Sequence, residues 1–282
     1  MRLIDTHQHL ILCDRLSYSW AETIPALAGR SFTLNDYAEL TCDKGLIGTV
    51  FMETAVDDVD FKEEARLVAG FVKSGAVLGQ IASCRPEDEN GFDAWLEELP
   101  ELGVVGLRRI LHVVDDGLSQ TETFRRNLRK LRRTGLPFDL CVFARQHPIA
   151  LDLIRACPDQ VFVLDHFGNP DIAHDGFEPW FQTMRQLAQN PQIYVKFSGI
   201  TVNARPDQVN VPVLQPYVNA LIDLFGVGRI VWGGDWPVCN LGSGLPGWID
   251  LTHALLDHLT QEERQAIGSD TARQLWTLPD LG

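Results

Sequence analysis

The chain predicts an α/β fold, a single TIM-like (β/α)8 barrel, and three observations carry that prediction. Short β-rich runs recur eight times along the 282 residues. Polar segments with helical periodicity separate them. No Pro/Ser-rich linker or shift in composition divides residues 1–282, so they read as one domain. Strands alternating with helices build parallel βαβ units, and eight such units in roughly 250–280 residues match a closed barrel. A doubly wound sheet is the competitor, but no G-x-G-x-x-G follows directly on any run.

The first run, 2–8, leads into IDTHQHL. Strand alternation sends His7 and His9 to one side and Gln8 to the other. The next runs lie at 47–53, 76–82 and 104–110, followed by 137–143, 161–165, 192–198 and 229–233. Between the second and third, Phe61, Ala65, Val68 and Val72 share a helix face that Gly75 closes. In 121–134, Phe124, Leu128 and Leu131 form one stripe among arginines, a solvated outer helix face in an acidic protein. A further helix is expected over 211–225, with Pro216 marking its true start.

The formal charge of −14, from 24 basic and 38 acidic residues, argues against nucleic acid or an anionic membrane as a partner. The six cysteines are scattered without a CxxC pair and read as small buried hydrophobes in a reducing compartment. There is neither a signal-peptide pattern nor an apolar run of ~18 residues, so a cytoplasmic protein is expected. Oligomeric state is left open.

Barrel chemistry takes place at the C-terminal ends of strands. The polar residues expected there are His7 and His9, Glu53, Cys84 and Arg85, Arg108 and Arg109, Asp139, His166, Lys196 and Asp235. Each has a duller reading. His166 suits a hydrogen-bonded core position, Asp235 a turn beside Gly233 and Gly234, and Lys196 a snorkelling wall residue. Asp5 reads as a brace for the strand end, and Arg109 as structural, turned away from Arg108. The joint placement of three histidines and an aspartate on strands 1, 6 and 8 outweighs these readings and defines a candidate site.

The segments IDTHQH, GLRRIL, FDLCV, FVLDHFGNP, VKFSGI and GGDWPVCN, in this order, resemble the amidohydrolase superfamily. The nearest branch is that of sugar lactonases of the L-fuconolactonase and L-rhamnonolactonase kind. The resemblance runs through nearly the whole chain. It implies a distorted (β/α)8 barrel that hydrolyses small lactones, with Asp235 activating water and His7, His9 and His166 as catalytic partners. It also implies a substrate pocket containing Arg108, Lys196, Trp236 and Trp20. Two-metal members add a bridging lysine or carboxylate and a further strand-end histidine. Here strand 5 offers Asp139 and strand 4 arginines, so a binuclear centre is not expected.

Lactone opening needs a base for water and positive character near the carbonyl oxygen. Three imidazoles donating hydrogen bonds would supply the latter, as would one zinc-type ion on His7, His9 and Asp235. The thin ligand set favours no obligatory metal, and the resemblance adds that related lactonases work without one. Tryptophans among polar groups suit a sugar ring. Glu53 facing the pocket would repel carboxylates, which favours a neutral aldonolactone over a pyrone-dicarboxylate substrate. Hydroxyl recognition is expected from the loops at 10–32 and 200–212. A metal-dependent decarboxylase of aromatic acids and a catalytically silent sugar-binding barrel are the alternatives.

Overall fold

The computed structural model describes residues 1–279. Eight strands form where the runs lie: Leu3–Gln8 (β1), Leu46–Met52 (β2), Gly79–Ser83 (β3), Val104–Ile110 (β4), Phe138–Cys141 (β5), Phe162–Leu164 (β6), Ile193–Phe197 (β7) and Ile230–Trp232 (β8). They pair in chain order, and every pair is parallel. β8 meets β1 through a parallel bridge from Gln8 to Trp236, not through a ladder. His9 N donates to Trp236 O at 2.9 Å, Asp235 N to His7 O at 2.9 Å, and Thr6 Oγ1 to Trp232 O at 2.7 Å. The seam of the cylinder thus joins the His-x-His segment to the Asp235 segment.

One irregularity aims the histidines. Between Asp5 and Gln8 β1 advances three residues, while its partner advances only two, from Thr49 to Phe51. This is a bulge, which inverts the facing of everything beyond it. Ile4, before the bulge, packs with Val50, Met52, Ile81, Val163 and Val231, residues from the inner side of the strands. With strict alternation, residues 7 and 9 would face the opposite way from Ile4. The extra residue turns them inward.

Trp276 and Leu278 join that inner cluster. The helix Thr271–Trp276 therefore plugs the end of the barrel opposite the strand C-termini. A second, larger core lies between the strands and the surrounding helices. In the helix Phe61–Lys73, Ala65 and Val68 are buried as expected, and so is Glu64. The helix Glu122–Lys130 buries Phe124 and Leu128. Its basic residues are paired outward, Arg129 with Glu122 and Lys130 with Asp93 at 2.6 Å each.

The helix Val211–Phe225 begins before Pro216, which lies inside it. Asn210 caps it by accepting from Val213 N at 3.1 Å. Both Pro212 and Pro216 are exposed, so the carbonyl that Pro216 leaves without a helical partner faces water. Cys84, Cys141, Cys157 and Cys239 are buried, whereas Cys13 and Cys42 are exposed. Among the described residues no helix is long and apolar enough to cross a membrane.

Candidate active site

A cavity of about 480 Å³ opens at the C-terminal ends of the strands. Its lining includes His9, His166, Asp235 and Arg108, together with Trp20, Glu53, Arg85 and Arg109. Three of the lining residues have left-handed backbone, Ala55 at φ 52°, His166 at φ 53° and Asp235 at φ 57°. Such conformations are costly for residues with a Cβ and persist where surrounding contacts impose them. The buried carboxylate of Asp5 does so at β8. Its Oδ1 accepts from His7 N at 2.8 Å and from Gly234 N at 2.7 Å, while Oδ2 accepts from Tyr37 Oη at 2.7 Å. Asp5 is the brace expected of it. Beside His166, a Cβ at Gly199 (φ 65°) would lie 2.5 Å from the imidazole Nδ1, so only glycine fits there.

The three imidazoles converge on the Asp235 carboxylate. His9 Nε2 lies 3.6 Å and His7 Nε2 3.8 Å from Oδ1, and His166 Nδ1 lies 3.9 Å from Oδ2. These gaps are too wide for direct hydrogen bonds. His9 Nδ1 donates to Met52 O at 3.0 Å, which turns its Nε2 toward Asp235. His166 Nδ1 shares a 2.9 Å hydrogen bond with Ser198 Oγ. Burial holds His7 well below the usual histidine pKa and lowers His166, so both are neutral imidazoles near pH 7.

Beneath them runs a dry chain of charges. Glu53 Oε1 accepts from Arg108 Nε at 2.6 Å, and Arg108 Nη1 lies 3.2 Å from both Asp165 Oδ2 and His7 Nε2. Asp165 Oδ1 lies 3.1 Å from Lys196 Nζ and 3.4 Å from His7 Nδ1. Lys196 also donates to Asp139. Burial alone would raise the Asp165 pKa, but Lys196 and His7 overcome it and hold the group well below the carboxylate range. At Asp139 burial wins over Lys196 and pushes the carboxyl up to about 7.

This geometry revises several expectations. Lys196, Asp139 and Trp236 do not line the cavity, and all three are buried. Lys196 and Asp139 form the floor as an ion pair, and Trp236 packs behind it against Phe32 and Tyr37 at ring distances of 5.5 and 5.6 Å. His7 is also below the surface. His7 Nε2 faces an Arg108 donor, so His7 is not one of the donors that the metal-free alternative placed at the carbonyl. Glu53 lines the cavity, but its carboxylate is taken up by Arg108 and by Ala55 N at 2.9 Å, so it repels little.

Arg109 turns away from Arg108 as alternation requires, yet it lines the cavity. β4 ends at Ile110, and a side chain pointing outward there enters the space above β3, where Glu87 receives it. Trp20 lines the cavity from the first loop and donates from Nε1 to Thr54 O at 2.9 Å. The 200–212 loop does not reach this cavity; residues 54–58 and 112–114 do.

The functional residue that sequence reasoning missed is Asp165. It precedes His166 at the end of β6 and, like its neighbours, is a polar residue at a strand terminus. It also stands within FVLDHFGNP, one of the segments that carries the resemblance.

Residues 4–278 match the amidohydrolase family model. The chain belongs to the amidohydrolase family. It is 30% identical over 242 residues to an L-fucono-1,5-lactonase of Burkholderia ambifaria, covering 84% of this chain and 81% of that one. It is 24% identical over 300 residues to an L-fucono-1,5-lactonase of Burkholderia multivorans, covering 98% and 96%. Among solved structures, a Burkholderia multivorans amidohydrolase with bound zinc superposes with a TM-score of 0.88 over 99% of this chain and 100% of that one, at 23% identity. That likeness speaks for the barrel.

The amidohydrolase site also has the donors for one ion. The metal-facing atoms of His7, His9 and Asp235 lie within 4.8 Å of one another. Their 3.6 and 3.8 Å gaps to Asp235 Oδ1 approach the roughly 3.4 Å between ligands on a tetrahedral ion with bonds near 2.1 Å. Outer partners are in place as well, Met52 O for His9 and Asp165 for His7. Against an ion stands Arg108, whose guanidinium competes for the same lone pair of His7 Nε2. The donor set fits, with that competition built in.

Proposed function

We propose that this amidohydrolase is a lactonase that opens the ring of a neutral sugar aldonolactone. The observation that carries the reading is the convergence of three imidazoles on one carboxylate at the floor of a cavity. A water between Asp235 Oδ1 and His9 Nε2 donates a hydrogen to each and keeps a lone pair for the ring carbonyl. Asp235 takes the proton as the oxygen attacks. With the Ser198 hydroxyl donating to Nδ1, His166 carries its own proton on Nε2. From there, together with Arg108, it stabilises the oxyanion. The ring C–O bond then breaks, and the proton held on Asp235 passes to the leaving alkoxide. An ester carbonyl polarised by these donors needs no strongly basic carboxylate.

A zinc-type ion, if present, sits on His7, His9 and Asp235 and supplies positive charge that lowers the pKa of water and polarises the carbonyl. The lactonase names of the Burkholderia relatives, together with Trp20 and the polar wall of the cavity, support a sugar lactone. The test is a pH-indicator assay over aldono-1,4- and aldono-1,5-lactones, with and without a chelator, alongside elemental analysis. At least one aldonolactone should open, and Asp235→Asn should lower kcat by about 10²–10⁴. An Asp235→Asn enzyme as fast as the wild type sinks the mechanism. Activity surviving chelation at near-zero metal content assigns polarisation to the protein's own donors; loss restored by zinc assigns it to the ion.

A further inference from the structure

Opposite the reacting groups, the cavity wall carries two arginines that the reaction does not use, each paired with a carboxylate, Asp58 in the wall and Glu87 behind it. Arg85 Nη2 lies 2.6 Å from Asp58 Oδ1, while its Nη1 donates to Ser83 Oγ at 2.7 Å and to Cys84 O at 2.8 Å. The same guanidinium sits 4.5 Å from the centre of the Phe61 ring. Arg109 contacts Glu87 Oε1 through Nε at 2.9 Å and through Nη2 at 2.8 Å. Both arginines are largely buried, with side chains 14% and 12% exposed, and both line the cavity. Such buried stems hold the guanidinium planes in fixed orientations. Among the described residues, Arg85 Nε and Arg109 Nη1 donate to no protein acceptor, and Glu87 Oε2 is buried without a donor.

The strand order places these pairs. In an eight-stranded barrel closed in sequence order, β3 and β4 stand across from β7 and β8. Asp235 follows β8, Arg85 follows β3 and Arg109 is in β4. A ring with its carbonyl at Asp235 therefore extends its substituents toward the two pairs.

We propose that Arg85–Asp58 and Arg109–Glu87 are the specificity determinants of the site and recognise the hydroxyl groups of a polyhydroxylated, uncharged substrate. This rests on the lactonase reading and deepens it. Each pair is neutral overall; both arginines offer N–H donors to the cavity, and Asp58 adds a carboxylate acceptor beside Arg85, whereas Glu87 stands behind Arg109 and holds it. At Arg85–Asp58 a sugar hydroxyl satisfies both at once, accepting from the guanidinium and donating to the carboxylate, and at Arg109 a second hydroxyl accepts from the guanidinium that Glu87 orients. An anionic substituent has no hydrogen for the carboxylates and is repelled by them. An unsubstituted ring covers the free N–H groups of Arg85 and Arg109 without bonding them, the situation that rejects analogues lacking a hydroxyl. Nearby His112, neutral because burial and Arg108 lower its pKa to about 4, adds no charge for an anion. Trp20 supplies an apolar face for the sugar C–H groups.

The experiment compares kcat/KM for an aldono-1,4-lactone, for γ-butyrolactone, which has no hydroxyls, and for a lactone bearing a carboxylate. It uses the wild type, Arg85→Met, Arg109→Met and Glu87→Gln. The wild type should prefer the aldonolactone. Each arginine variant should lose about tenfold or more of that preference, the equivalent of about 1.4 kcal/mol, through KM, and fall far less on γ-butyrolactone. Glu87→Gln covers the case in which an arginine variant fails to fold, and it should erode the same preference. An unchanged preference in the folded variants overturns the proposal. So does a wild-type preference for the carboxylate-bearing lactone that disappears in Arg109→Met, which assigns the wall to an anion instead.

If the wild type opens no lactone, the lactonase reading fails, and calorimetry with a polyhydroxylated δ-lactam against 2-piperidone tests the wall by itself. Binding of the hydroxylated lactam that weakens about tenfold in Arg109→Met sustains the proposal. No binding, or equal binding by the variant, overturns it.

Discussion

The floor and the wall of the cavity use the same chemistry in different solvents. Below, Glu53, Arg108, Asp165, Lys196 and Asp139 form a chain with almost no exposure. On the wall, Arg85 pairs with an Asp58 whose side chain is 76% exposed. Water decides what each pair is worth. A buried charge depends on its partner, because removing that partner leaves an ion uncompensated in a poor solvent. An exposed pair loses little when broken, since water replaces the partner. The floor therefore acts as rigid framing for His7 and Arg108, and the wall at Arg85 and Asp58 keeps a donor and an acceptor available to a ligand.

The largest effect expected from breaking that contrast is at Asp165. Replacing Asp165 by Asn removes the one negative charge that Arg108 and Lys196 share. Chemical denaturation should show a loss of about 3 kcal/mol, since Arg108 and Lys196 each keep one carboxylate, Glu53 and Asp139, and lose the buried charge between them. Activity should fall too, because His7 loses the carboxylate beside its Nδ1. A variant as stable as the wild type would mean that the floor is wetter than its burial implies.

A second test sharpens the comparison with pH. Glu64, buried under the loop that follows β2, accepts from Thr54 N at 2.9 Å, and burial together with the Glu53 charge pushes its carboxyl up to about 8. Its folded pKa lies above the unfolded value, so between pH ~4.5 and about 8 the folded protein binds a proton that the unfolded chain has released. The proton inventory then makes stability fall as pH rises through that window. Glu64→Gln, always neutral, does not share the loss. Below the window the two proteins should match; by pH ~9 the variant should be the more stable, by up to a few kcal/mol. A stability difference that stays constant from pH 5 to pH 9 would show Glu64 ionised throughout and the loop held in another way.

The contrast between floor and wall also explains what was readable beforehand. The eight strands were legible because each is a short β-rich run between helical periods, and β1 announced the paired histidines by spacing alone. Their inward aim was not legible. It depends on a bulge, and a bulge exists only once β1 has a partner to fall out of register with. Lys196, at the end of a strand in VKFSG, looked like any basic pocket residue. Only barrel closure brings Asp139 and Asp165 against it and withdraws it from the cavity. Asp165 was overlooked for the same reason, since its partners come from β1, β4 and β7. Arg109 was discounted by an alternation rule that holds within a strand but says little where the strand opens into loops.

The smallest expected effect lies on the wall and completes the comparison. Asp58→Asn breaks the 2.6 Å contact with Arg85 Nη2, as short as the contact between Glu53 and Arg108. Distance alone would make the two pairs equals. The Asp58 carboxylate nevertheless faces water, and the arginine retains Ser83 Oγ, Cys84 O and the Phe61 ring. The loss in stability should therefore stay within about 0.2–1 kcal/mol and shrink further with added salt. If denaturation instead showed a loss as large as that of Asp165→Asn, Arg85 would belong to the framing of the barrel mouth, and its part in recognising a ligand would have to be given up.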